Sequence, residues 1–489
     1  MDRVAGYYQP LSSEDRMFLA CEGPETPMHI GATLVFEGDV DPARVLRYVE
    51  SRLHLIPRYR QRLRYAALSN EPVWVDDDRF DARYHLRHVV VPPPGDDEAM
   101  KRLASHLISQ PLLRSRPLWR LWVVTGLAGN RFAIVTTIHH CMADGIAGAA
   151  LLAVLLAPHP DGATAQPAPF VPRPAPSPWR LLLERGAERL RGPLALARQA
   201  RRLVTDARAV VGESLAYARG VADTVAAAVL HPAPPCALNR PIGRYRRFDW
   251  TDVPMDDVCT VRAHLGGSVN DVALATVAGA LRRFALRRHP DEQPTDLRVL
   301  VPVSIRGDGE RQALGNRTSA WLMTLPVREP DPVRRLEAVC RTTASLKSSR
   351  QHLGGQVLTS ASNTLLTLGL RLVEQIHPFN LLVTNVPGPR ETLYLLEAPL
   401  RRVYPEAPLF PRQGLGIALF GYADALCIGV HGDCHVVPDT ERLVVSLQES
   451  FTELVAHALA RAGAATRLPP RAISAERAGA GGRAAHSAA

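Results

Sequence analysis

RFAIVTTIHHCMADGIAGAALL, residues Arg131 to Leu152, decides how the rest of the chain is read. Phe132 to Ile138 is a short apolar run rich in Val, Ile and Thr, the pattern of a buried strand. His139 and His140 follow at once, then Cys141, Met142, Ala143, Asp144 and Gly145. Beyond Gly145, IAGAALLAVLLA is a run of helix formers. Strand, polar turn, helix is the order that sets polar side chains at the mouth of a strand, where α/β proteins carry their chemistry.

Histidine, with an unperturbed pKa of about 6.5, can take and return a proton near neutral pH. A carboxylate at Asp144 can orient an imidazole or anchor the turn to an arginine. Gly145 lets the backbone take positive φ or lets a substrate come close. No G-x-S-x-G occurs, and Cys141 has no distinct partner in the sequence, so no covalent nucleophile is set up. The simplest chemistry is direct transfer, with histidine deprotonating an acceptor that attacks an activated acyl group. A histidine at a strand end can also serve the fold alone. Zinc is the other sharp reading, but H-E-x-x-H and paired C-x-x-C are absent, so neither metal nor resident cofactor is expected.

HHxxxDG following a strand in a chain of this length resembles the acyl-CoA-dependent transferases related to chloramphenicol acetyltransferase. Four further stretches are similar to the bacterial wax ester synthase/acyl-CoA:diacylglycerol acyltransferase family in particular. They are PMHIGA (Pro27 to Ala32), PLW (Pro117 to Trp119), SVNDVALATVAGALR (Ser268 to Arg282) and NVPGP (Asn385 to Pro389), in the family's order. VPVSIR, ending at Arg306, fits as well. The resemblance implies an α/β fold of two chloramphenicol acetyltransferase-like domains, with mixed β-sheets flanked by helices and an active-site tunnel between them. It implies His140 as general base, His139 as support for the pocket or tautomer, and Asp144 as holder of the turn through Arg306 or Arg317. It sets Asn270 and Asp271 facing the histidines, Asn270 to hold a substrate oxygen, orient His140 or serve as a weak candidate for the oxyanion, and Trp119 near the substrate channel. Simple helix capping for the pair and a buried Trp at a strand entry are the structural alternatives. Glu22 is a candidate substrate contact, or else a solvated surface acid. The implied co-substrate is long-chain acyl-CoA and the acceptor diacylglycerol or a fatty alcohol. No DFGWG-like signature stands near the C-terminus, which weakens the link to the antibiotic acetyltransferases and fits the lipid branch. Two alternatives stay open: a condensation-type transferase acting on polyketide or amine acceptors, and a catalytically silent lipid- or CoA-binding homologue.

The 489 residues suffice for two domains with sizeable cores, and 46% hydrophobic content is ordinary for a globular protein. Mean hydropathy is −0.06, and no apolar run approaches the ~20 residues of a transmembrane helix. The net charge of +10 favours anionic partners, CoA phosphates or acidic lipid head groups before nucleic acid. Seven scattered cysteines and no apolar leader after Met1 suggest a cytoplasmic protein, with room for contact with the inner membrane face or lipid inclusions.

Organisation follows from composition. Residues 1–160 form a first acyltransferase domain, with helices expected over Leu11 to Leu19, Asp41 to His54 and Asp96 to Gln110. Strands are expected over His29 to Phe36, Tyr84 to Val91 and Arg120 to Leu127. Residues 161–240 join a Pro- and Ala-rich stretch, too rigid and polar to pack, to basic amphipathic helices bearing Arg180 to Arg208. That arginine face is either solvated or rests on an anionic membrane or lipid droplet. Residues 241–463 form a second acyltransferase domain, with a Ser268-capped helix to Arg288, a long apolar helix over Gln356 to Ile376 and a final helix after Asp439. Residues 464–489 read as a disordered tail.

Overall fold

Two six-stranded sheets, each assembled from strands far apart in the chain, organise the computed structural model. It describes residues 7–68, 72–142, 155–160, 169–184, 233–304, 318–348 and 378–466. The first half runs β1 (Gln9–Pro10), α1 (Ser13–Cys21), β2 (His29–Glu37), α2 (Pro42–Arg52), β3 (Gln61–Tyr65), β4 (Pro72–Asp76), α3 (Ala82–His85), β5 (Leu86–Val90), α4 (Asp97–Ile108), β6 (Trp119–Leu127) and β7 (Arg131–His139). The second runs β8 (Arg246–Pro254), α5 (Met255–Leu265), α6 (Val269–Arg288), β9 (Leu297–Ser304), β10 (Thr318–Leu325) and α7 (Pro332–Ser348). It closes with β11 (Leu381–Pro387), β12 (Tyr394–Leu395), β13 (Ala398–Glu406), β14 (Leu415–Tyr422), β15 (Ala425–Asp433) and α8 (Thr440–Thr466).

One large sheet has the order β12-β13-β2-β7-β6-β5, the other β10-β9-β11-β14-β15-β8, and β1-β4-β3 form a small third sheet. Both large sheets are mixed: β5 runs parallel to β6, and β11 runs parallel to β9 and β14. Local chemistry explains the elements. Gly129 and Asn130, both at positive φ, close the β6–β7 hairpin. Asp41 accepts from the Ala43 N–H with Pro42 behind it, and Ser12 and Ser268 each make a reciprocal capping box. Helix α6 is buried on nearly every side and forms the centre of the second half's core. Gly279 permits this, because a Cβ there would meet Ser450 Oγ of α8 at 2.2 Å.

The halves are joined in two ways. The chain leaves the second sheet after β11, adds β12 and β13 to the first sheet with β13 antiparallel to β2, then returns as β14. On the other flank, α4 lies against the outer strand β8. The N–H groups of Phe248 and Arg246 donate to Ser105 Oγ (2.8 Å) and Ser109 Oγ (2.9 Å), four residues apart on the helix. Lys101 Nζ stands 2.6 Å from Asp249 Oδ1 beside them. A sheet edge that would otherwise offer bare donors is thereby satisfied.

Three local expectations change. The strand expected from Tyr84 starts as the one-turn helix α3, capped by Asp81, and becomes a strand only at Leu86. The described part of the Pro-rich stretch, from residue 169, does pack: Arg173 pairs with Asp76 at 2.8 Å, and the Tyr7 and Ala67 amides donate to Pro174 and Pro178 carbonyls, while Leu181 in the helical turn that follows is fully buried against β4. Proline rigidity lowers the entropy lost on docking such a segment. The final helix runs on to Thr466. The helix after Gly145, the arginine helix beyond residue 184, Arg306, Arg317, the Gln356 to Ile376 stretch and the tail from 467 lie outside the described residues.

Candidate active site

Strand β7 delivers the histidines while clamped on both sides. The His139 N–H donates to Leu118 O (2.9 Å) next to β6, and the His140 N–H donates to Met28 O (2.8 Å) next to β2. His139 stands opposite His29 in the β2–β7 register. The two rings meet edge to face at 6.0 Å.

His139 is fully buried. Its Nδ1 accepts the Cys141 N–H at 3.1 Å, so in the neutral ring the proton sits on Nε2. That Nε2 lies 3.3 Å from Glu22 Oε1, within ion-pair reach but short of a well-aligned hydrogen bond. Glu22, the C-cap residue of α1, is held in turn by Arg114, whose Nε and Nη2 reach Oε2 at 2.8 and 2.5 Å. Burial alone would raise the Glu22 pKa, but His139 and Arg114 override it and hold the carboxyl at about 2. Glu22 is therefore not a solvated surface acid: it is a part-buried partner of His139 and Arg114.

His140 is only half-buried. Its ring lies flat on Phe18 of α1, centroids 3.6 Å apart and planes 12° from parallel, and its Nδ1 is buried with no hydrogen-bond partner among the described residues. Burial pushes this imidazole down to about 4, so it is the neutral free base at physiological pH. His29 is likewise driven to about 3, chiefly by burial. Cys141 is buried and its thiol is pushed well up, chiefly by burial and then by Asp15 and Glu22, which keeps it protonated and unreactive.

Asp144 and Gly145 lie outside the described residues. Trp119 is buried: its Nε1 donates to Tyr59 O at 2.7 Å and its ring stacks on His85 at 4.5 Å, so its contacts are with the protein itself. Asp271 is also buried, accepting from the Ser268 N–H (2.8 Å), Ser268 Oγ (2.7 Å) and Thr343 Oγ1 (2.7 Å). Asn270 is half-buried, and its Oδ1 receives one long bond from Asn385 Nδ2 at 3.4 Å. The structure thus brings the SVND and NVPGP stretches together. Sequence reading missed Phe18, Arg114 and His29. Only His29 carried a signal, inside PMHIGA; Phe18 and Arg114 look like an ordinary helix apolar residue and an ordinary loop cation. Among the described residues no three His, Cys, Asp or Glu side chains converge as metal ligands, and no helix is long and apolar enough to cross a membrane.

Comparison with known proteins now bears on the whole chain. The profile of the wax ester synthase/diacylglycerol acyltransferase catalytic domain matches residues 11–273, and that of the WS/DGAT C-terminal domain matches residues 314–455. A probable diacylglycerol O-acyltransferase of Mycobacterium tuberculosis is 33% identical over 456 residues, covering 91% of this chain and 96% of the relative. The wax ester synthase/diacylglycerol acyltransferase of Marinobacter aquaeolei superposes with a TM-score of 0.66 at 25% identity, covering 92% of this chain and all of that one. The first condensation domain of the calcium-dependent antibiotic synthetase, at 18% identity and TM-score 0.59, covers 92% of this chain and 97% of its own, and shares the two-lobed fold. With both profiles matched in order, the chain belongs to the wax ester synthase/diacylglycerol acyltransferase family and is an acyltransferase.

Proposed function

We propose that this protein moves a long-chain acyl group from acyl-CoA directly to the hydroxyl of diacylglycerol or a fatty alcohol, with His140 as general base. The observation that carries the reading is the contrast within the pair: His140 is neutral and half-open, while His139 beside it is buried and engaged. His140 Nε2 takes the acceptor proton as the oxygen attacks the thioester carbonyl. The tetrahedral intermediate collapses, the C–S bond breaks, and the thiolate of CoA recovers the proton from the imidazolium. No acyl-enzyme forms. Asn270, with one long amide bond, is the candidate donor to the oxyanion. Asp144 is the candidate holder of the turn. The names of the mycobacterial relatives favour diacylglycerol as acceptor, and the charge of +10 suits the phosphates of CoA.

The test is product identification after incubating the purified chain with palmitoyl-CoA and, in separate reactions, diolein, hexadecanol or a long-chain amine. Ester formation that disappears in His140→Ala supports the reading. An active His140→Ala enzyme refutes the base. Amide products would favour a condensation-type enzyme, and acyl-CoA binding without turnover a silent homologue.

A peripheral contact with an anionic membrane or lipid droplet belongs to the same proposal. Leu68, Trp179 and Leu183 are 90%, 60% and 73% exposed, and the Ala67 N–H to Pro178 O bond (2.9 Å) brings the first two together. Trp179 and Leu183, four residues apart, share one side of the helical residues 178–184. Such an apolar tip beside arginines suits the lipid interface.

A further inference from the structure

Helix α1 touches both histidines, and nothing in the assigned chemistry uses it. Phe18 covers one face of the His140 ring, and four residues on, at the C-cap, Glu22 meets His139. Arg114 fastens the end of this helix: besides the bonds to Glu22, its Nη2 donates to Leu19 O (3.1 Å) and its Nη1 to Tyr65 OH (3.3 Å). The guanidinium occupies Oε2 of Glu22 and leaves Oε1 turned to the imidazole.

We infer that Glu22 and Phe18 are positioning residues for the general base: Glu22 fixes the tautomer of His139, which fixes the Cys141 turn, while Phe18 holds the His140 ring in its working plane. The inference rests on the proposed role of His140. A carboxylate facing Nε2 keeps the His139 proton there, which frees Nδ1 to accept the Cys141 N–H. If the tautomer reversed, Nδ1–H would oppose Cys141 N–H and the turn would lose its tie. The aromatic stack restrains the His140 ring directly, and among the described residues its Nδ1 has no hydrogen-bond partner to share that task. Neither residue needs to touch substrate. Rotation of the imidazole by a fraction of an ångström at its tip would separate base from hydroxyl, and misplacement on the scale of 1 Å costs on the order of 100-fold in rate.

The experiment measures kcat and KM for both substrates in full-length Glu22→Gln, Phe18→Leu and Phe18→Tyr, alongside His140→Ala. Glu22→Gln is expected to lower kcat by roughly 10- to 100-fold with both KM values unchanged. Phe18→Leu should lower kcat about tenfold, and Phe18→Tyr, which keeps the stack, should restore it to within about twofold. In a His139→Asn background, which keeps an acceptor near Cys141 but lacks Nε2, adding Glu22→Gln should change kcat by less than about twofold. Full additivity there, or wild-type kcat in Glu22→Gln while His140→Ala is dead, overturns the inference and leaves the base intact. An active His140→Ala sinks the base itself. If Glu22→Gln is too unstable to assay, the Phe18 variants decide: wild-type turnover in Phe18→Leu, or no recovery in Phe18→Tyr, overturns it.

Discussion

His139-His140 and Asn270-Asp271 are two pairs of adjacent polar residues, one at the end of a strand and one in the first turn of a helix, and each divides its work in the same way. One member of each pair is buried and engaged: His139 by Cys141 and Glu22, Asp271 by Ser268 and Thr343. The other is half-buried and, among the described residues, lightly held: His140 by a stacked ring, Asn270 by a single amide. The difference between the pairs is charge. Asp271 neutralises the start of α6 and completes a capping box, a task any helix could use. His139 ties the turn that carries its neighbour. An inner residue that serves a helix should affect stability alone, and one that serves a turn should affect stability and rate together.

The sharpest way to break this comparison is to exchange inner for outer. His140→Ala should cost roughly 10²- to 10⁴-fold in kcat and leave the denaturation midpoint nearly unchanged. His139→Ala should lose both, with about 3 kcal/mol of stability in urea melts, because Cys141 N–H and the Glu22 carboxylate lose their partner inside the fold. Asn270→Ala should lower kcat by roughly 10- to 100-fold with melting unaffected if it serves the oxyanion. Asp271→Ala should do the reverse, costing about 2 kcal/mol of stability with kcat within about twofold of wild type. Finally, since burial keeps His140 unprotonated down to about 4, kcat/KM should stay flat from pH 8 to about 5.5. Protonation would remove the base, so activity can fall only below that range; a profile that bends near the ordinary histidine value of about 6.5 contradicts the neutral base.

Much of this arrangement could be read in advance because it is local. The histidine strand, the Gly129-Asn130 hairpin and the Ser268 cap are each written in a few consecutive residues, and each formed as expected. What stayed hidden depends on distant partners. Strand β13, APLRRVYPE, has two prolines and a register shift between Leu400 and Arg402, so its alternation is broken; it is a strand because β2 receives it. The Pro-rich stretch looked unable to pack because its docking residue Arg173 finds its partner, Asp76, on β4. Phe18 was illegible for the same reason, since a helix residue reveals nothing of the ring it will cover until the strand end is in place.

The passage of β12 and β13 into the first sheet has a bearing on how the molecule can be made. While the chain is still emerging from the ribosome, β2 must wait with one side unclothed until residues 398–406 have been synthesised. A gene cut at residue 273, where the catalytic-domain profile stops, would therefore yield a product with a naked strand beside its own histidines, prone to stick to its copies. The boundary drawn by sequence kinship runs through a sheet that only residues beyond it complete.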